Sequence, residues 1–211
     1  MEPVVAGSGT RCGVDLFDAI YARCAVRAYT GRRVEPEVVR RLLDIAIRAP
    51  SAVNAQPWAF VVVQDVALLK RISDRAKRAT LAHAEPGTRV WEHRAMLEDP
   101  AFNVFYDATT LIVICASPAG GQSNEDCCLA GQTLMLAAHG LGLATCPIGF
   151  AREALNEAEF RRELAIPADH AAVFPLIVGY AREVPPATER REPRILAWKR
   201  GPAPARVPSG R

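Results

Sequence analysis

Ala49-Pro50-Ser51-Ala52-Val53-Asn54-Ala55-Gln56-Pro57-Trp58-Ala59-Phe60-Val61-Val62-Val63 is the stretch that decides the fold. Its second half, from Ala59, is an unbroken apolar and β-branched run, the pattern of a central strand buried on both faces. Its first half sets Ser51, Asn54 and Gln56 between two prolines. Such a segment is either a loop held by side-chain-to-backbone bonds or a site whose amides read a heterocycle. Upstream, Val38, Val39, Leu42, Leu43, Ala46 and Ile47 recur at helical spacing over 35–48, with Pro36 in the first turn. That helix must stop before Pro50, because the residue preceding a proline is pushed out of the helical region.

Outward from this unit, 111–116 (LIVICA) and 172–178 (AVFPLIV) repeat the strand pattern, with an irregularity expected at Pro175. Helices are predicted over 15–24, where Phe17, Ile20, Tyr21 and Cys24 form a stripe, and over 66–84, with Arg and Lys outward. A helix over 124–141 is apolar nearly all round, as one buried between layers or across a subunit interface is; another is predicted over 151–164. Gly140 is read as the left-handed residue ending the first of these. Between His83 and Asp107 no period holds, which suits a substrate loop or lid. One domain over 15–180 and a Pro/Arg-rich extension over 181–211 follow.

The 211 residues are 50% hydrophobic and 23% charged, the balance of a soluble globular chain. No run approaches the roughly 20 apolar residues of a membrane span. The first ten residues lack a basic then apolar leader, so a cytoplasmic location is expected. The six cysteines, at 12, 24, 115, 127, 128 and 146, include no CxxC and read as reduced thiols. From Arg182 onward eight Lys/Arg face three Asp/Glu, a net +5 against +3 for the whole chain. Six prolines and the lack of aromatic interleaving turn that basic tail away from nucleic acid and toward the protein itself or a small anion.

Several chemistries lack their motifs. Gly140-Leu141-Gly142-Leu143-Ala144-Thr145 has no third glycine and follows a helix, so it is no dinucleotide fingerprint. There is no GxxxxGK[ST] and no GxSxG, and the four histidines do not pair at metal-ligand spacing, so no metal is expected. What remains is Arg23-Cys24-Ala25-Val26-Arg27, two guanidiniums four residues apart at a helix end. It is either a solvated pair or a place where an anionic ligand relieves the repulsion.

These segments together resemble the FMN-dependent nitroreductase family. The resemblance covers about Asp15 to Pro193 in four ordered blocks: Arg23–Tyr29 (RCAVRAY), Ala49–Val63, Leu141–Phe150 (LGLATCPIGF) and Glu189–Pro193 (ERREP). It implies an α+β homodimer, with a mixed central β-sheet flanked by helices and FMN bound between the subunits. By the same resemblance Arg23 meets the FMN phosphate and Arg27 the pyrimidine edge. Pro50, Ser51 and Asn54 come from the partner subunit, and Pro147, Ile148 and Gly149 pass along the other flavin edge, offering a backbone N–H. Arg191, with Arg190 beside it, is a second phosphate ligand. Where the family usually reads Arg-Arg-Ser, this chain has Arg23-Cys24-Ala25, so a phosphate-binding hydroxyl is absent. A neutral hydrogen bond contributes about 1 kcal/mol and a charge-assisted one more, so two arginines can outweigh that loss.

The implied activity is an NAD(P)H oxidoreductase, with NADH or NADPH as donor and a nitroaromatic or quinone-like small aromatic acceptor, working by a ping-pong scheme in which the cofactor does the chemistry. No side chain is assigned as catalytic acid or base. The alternatives on the same fold are reductive dehalogenation, enone reduction, flavin breakdown or flavin binding without catalysis.

Overall fold

The computed structural model describes residues 14–118, 121–186 and 188–200. Cys12, the absence of a leader and the last part of the extension therefore lie outside the described residues. The elements follow the order α1 (Leu16–Ala22), α2 (Pro36–Ala46), β1 (Trp58–Val63), α3 (Val66–Ala82), α4 (Arg89–Glu92), α5 (Arg94–Glu98), β2 (Thr110–Ala116), α6 (Ser123–Gly140), β3 (Ala144–Pro147), α7 (Ala151–Leu155), α8 (Ala158–Glu163) and β4 (Ala171–Gly179). Helix starts are chemically marked: Asp15 accepts from Phe17 N, Asp65 from Ala67 N and Leu68 N, and α2 opens on Pro36.

The strands lie in the order β1-β2-β4-β3, each pair antiparallel. The α+β class is as expected. The parallel component of the expected mixed sheet is confined to an isolated bridge between Ala25 and Thr145. β1 is an edge strand, not the central one its composition suggested. The centre is β2, buried at every position, whereas β1 is half-exposed over most of its length. β2 and β4 send alternate side chains to two cores. Leu111, Val113, Cys115 and Ile177 join the α3 and α7 side, while Ile112, Leu176 and Val178 meet α2 and α6.

Several expectations are corrected by tertiary contacts. β3 was not foreseen, because four residues ending in proline carry no readable period. The helix over 151–164 breaks at Asn156, whose amide donates to Ala172 O and accepts from Ala172 N, both at 2.9 Å. That pair serves the β4 bulge, where Ile114 faces Phe174 but Cys115 faces Ala172, leaving Val173 extra. The strand irregularity is thus two residues before Pro175, which stays in register with Val113. Gly142 (φ +72), not Gly140, takes the left-handed turn after α6.

The 83–107 stretch is ordered from α3. Lys77, expected outward, is buried and donates to Asp99 O (3.0 Å) and Phe102 O (2.8 Å), while Ser73 Oγ accepts from Val104 N (3.0 Å). In α1 the stripe faces away from the chain's own core: Phe17, Ile20 and Tyr21 are exposed, Tyr21 by 81%, and only Ala19 is buried. α6 packs one face on the sheet through Cys127, Ala130, Leu134 and Ala138 and leaves Cys128 and Leu129 exposed on the other.

Candidate functional site

α1 ends at Ala22, so Arg23 to Arg27 run extended rather than helical. Arg23 has φ −59 and ψ 127, and Val26 N donates to Thr145 O at 3.1 Å. An extended i, i+4 pair lies about 13 Å apart on one side of the chain, far beyond the spacing of the helical pair. The repulsion that a helix would impose is thereby removed. The two arginines reach separate cavities along β3.

Arg23 lines a cavity of about 170 Å³ with Cys24, Val26, His139, Ala144 and Thr145. Arg27 lines one of about 230 Å³ with Val104, Tyr106, Cys146 and the Pro147–Phe150 turn. Two blocks more than a hundred residues apart in the chain are brought together by the edge strand. Ala25 lies between them, bridged to Thr145. Within the turn Pro147 has no N–H and Ile148 N is taken up by Pro175 O at 2.9 Å. Among the described residues the Gly149 amide has no backbone partner and can serve a ligand.

Pro50, Ser51 and Asn54 line neither cavity. Their loop precedes β1, at the opposite edge of the sheet from β3, three strand intervals or about 14 Å away. The chain does not bring them to its own Arg27. The loop is strained: Val53, Asn54 and Gln56 have φ of 47, 57 and 47. Left-handed backbone costs a residue such as Val53 about 1–2 kcal/mol. Ser51 Oγ accepts from Gln56 N at 3.0 Å, and Gln56 Nε2 donates to Asn54 Oδ1 at 3.2 Å, which leaves the Nδ2 group of the exposed Asn54 as a donor. Arg190 and Arg191 lie exposed in an extended arm and also line neither cavity.

Tyr106, Phe150 and His139 were missed in the sequence. Phe150 follows the Pro147–Gly149 turn directly and was within reach of inference; Tyr106 sits at φ 51 in the aperiodic stretch, which gave no signal. The His93 ring lies 6.4 Å from that of Phe150, so the α4–α5 segment borders the Arg27 cavity. Burial raises the pKa of Tyr106 and Cys146, and Arg27 opposes the rise in both. Tyr29 is buried and among the described residues its hydroxyl has no hydrogen-bond partner, with Cys146 and Arg27 among the groups that act on it.

The arrangement fits FMN on its own geometry. The half-buried Arg23 at one end suits a phosphate, and Arg27, four residues further along a non-helical segment and in the next cavity, suits an electron-rich ring edge. The wall between them is apolar, from Cys24, Val26, Ala144, Cys146 and Ile148. Among the described residues no cluster of His, Cys, Asp and Glu could hold a metal ion, and no helix is long and apolar enough to cross a membrane.

Residues 20–180 match the model of the nitroreductase family. A Methanothermobacter thermautotrophicus homologue whose name pairs NADH dehydrogenase with NAD(P)H nitroreductase is 30% identical over 185 residues, 85% of this chain and 84% of its own. The 4-nitrobenzoate reductase of Pseudomonas putida is 30% identical over 214 residues, covering 87% of this chain and 93% of its own. The crystal structure of a nitroreductase with bound FMN from Desulfitobacterium hafniense superposes with a TM-score of 0.75 at 25% identity, covering 87% of this chain and 98% of that one. With two separated sequence blocks converging along β3, a matching fold and a family match over most of its length, this chain belongs to the nitroreductase family.

Proposed function

We propose that this protein is an FMN-dependent NAD(P)H oxidoreductase that reduces nitroaromatic or quinone-like acceptors, with each flavin site shared between two copies of the chain. The observation that carries the reading is the convergence of Arg27 with the Pro147–Gly149 turn in one cavity, next to the cavity of Arg23. FMN, when bound, supplies hydride uptake from the nicotinamide and hydride delivery to the acceptor. The chain's part is binding and electrostatics. Arg23 holds the phosphate, Arg27 places a fixed positive charge beside the pyrimidine edge, and the Gly149 N–H fixes the opposite edge in line. Donor and acceptor use one face in turn, which makes the kinetics ping-pong.

The dimer is supported by what a single chain leaves uncovered. Leu16, Phe17, Ile20 and Tyr21 on α1 are exposed beside α6, as is Leu129 on α6 itself. The arm carries Ile195, Leu196 and Trp198 exposed, Leu196 by 84%. Patches of this kind mark interaction sites. A second copy covering α1 and α6 would bring its own Ser51 and Asn54 toward the cavity, and the arm's Arg190 and Arg191 toward a phosphate.

The test is steady-state oxidation of NADH and NADPH by the purified protein after addition of FMN, with a quinone and a nitroaromatic as acceptors. Released flavin is identified by mass spectrometry. Turnover with at least one acceptor and FMN as the tightly held flavin are expected; FAD as the held species, or no turnover with either acceptor, overturns the proposal.

A further inference from the structure

We propose that Asp126 is the positioning residue that sets where the Ser51–Gln56 loop stands, and hence whether Ser51 and Asn54 meet the flavin; this rests on the shared-site reading given above. Asp126 lies in the first turn of α6, is only 3% exposed, and comes 74 residues after Ala52. Its two carboxylate oxygens accept from Ala52 N at 3.2 and 3.3 Å. Among the described residues the loop's other polar ties, Ser51 Oγ with Gln56 N, Gln56 Nε2 with Asn54 Oδ1, and the backbone bonds Asn54 N to Ser51 O and Ala55 N to Ala52 O, are local and move with it. They give the loop its shape but not its place. The Asp126 contact joins its start, at Ala52, to the body of the fold, as Ser117 N joins the residue after its end through Pro57 O at 2.8 Å.

The need for such a tie is visible in the backbone. Three residues of the loop are held left-handed without glycine, and one of them, Val53, is β-branched and 97% exposed, so its own side chain packs on nothing in this chain. Strain of this kind persists only where surrounding contacts over-determine it, and it gathers at functional sites. The buried side-chain oxygens of Asp126 give the Ala52 N–H a partner for which water does not compete. A rival role for Asp126 is purely helical, since a carboxylate in the first turn favours the positive end of α6. The two roles differ in what asparagine can rescue. It keeps an oxygen for Ala52 N–H but not the charge.

The experiment compares Asp126→Ala, Asp126→Asn and Ala52→Pro in the FMN-loaded protein. Ala52→Pro deletes the donor without touching α6, and so remains informative if Asp126→Ala fails to fold. Hydrogen exchange at 52–56 and the FMN dissociation constant are measured on each, with Ser51→Ala and Asn54→Ala alongside. Asp126→Ala is expected to speed exchange across 53–56 at least tenfold and to weaken FMN at least tenfold, Ala52→Pro to do the same, and Asp126→Asn to stay within about threefold of wild type. Unchanged loop exchange in both Asp126→Ala and Ala52→Pro, or an asparagine variant as impaired as the alanine one, overturns the positioning role. If Ser51→Ala and Asn54→Ala weaken FMN while Asp126→Ala does not, only the assignment to Asp126 falls. If none of these variants changes FMN affinity, the shared-site reading falls with it.

Discussion

Replacing Gly131 by alanine sets two opposed effects against each other, and the structure decides between them. Gly131 is buried in the middle of α6, where alanine is favoured over glycine by about 0.8–1.0 kcal/mol of helix propensity. A Cβ there would lie 2.5 Å from Phe174 Cε1, 2.6 Å from Cδ1 and 3.1 Å from Cγ. Carbon pairs settle at about 3.5–4.0 Å, so α6 and the ring must part by roughly 1 Å. Phe174 has little freedom to yield, because it packs against two core clusters and follows the Val173 bulge of β4. Overpacking of this degree costs about 1–3 kcal/mol, which outweighs the propensity gain and leaves a net loss of up to about 2 kcal/mol. For a chain of 211 residues that is a fall in Tm of up to roughly 8 °C. The shift should also reach the site, since the neighbouring Pro175 carbonyl holds Ile148 N. Urea unfolding followed by circular dichroism and fluorescence measures the loss, and Phe174→Leu in the Gly131→Ala background should recover part of it. A Gly131→Ala variant more stable than wild type would refute the reasoning.

Lys77→Met should lower stability by about 2–3 kcal/mol, because the carbonyls of Asp99 and Phe102 lose a charged donor; urea unfolding checks this, with faster hydrogen exchange over 99–107 as the local signature. Stability should fall at alkaline pH. Burial pushes the Cys115 thiol up to about 11 and Cys127 to about 12 from an ordinary 9.0, so the unfolded chain releases protons first. The contribution is intact below pH 9 and lost as pH rises toward 11 and 12, and Cys127→Ala should flatten that limb of the stability curve. Arg27→Gln should lower the two-electron flavin potential by a few tens of millivolts, each 30 mV being about 1.4 kcal/mol; an unchanged potential would place Arg27 away from the ring. In co-refolded mixtures of Arg23→Ala/Arg27→Ala with Asn54→Ala, heterodimers should restore roughly a quarter of wild-type activity, and no rescue would mean that the loop serves its own chain.

Sequence alone determined which segments are buried and which residues are chemically unusual. Pro36 and Pro50 bounded α2, the apolar runs marked β1, β2 and β4, and Arg23, Arg27 and the polar residues between Pro50 and Pro57 were singled out as either structural or ligand-binding. Such features are written locally, in spacing and in residue type. Partnership is not. An apolar run says that it wants cover but not from which side, so β1 was read as central when β2 holds that place. The α1 stripe was legible as an apolar face, but not that Phe17 and Tyr21 turn it away from the chain's own core. Lys77 looked like a surface charge because two carbonyls, 22 and 25 residues further on, receive it only in the folded chain. β3 exists only by pairing with β4, and that pairing is what carries Pro147 and Gly149 to Arg27. Contacts between distant segments depend on which surfaces remain to be buried once the local elements have formed, and that is settled by the packing of the whole chain rather than by any stretch of it.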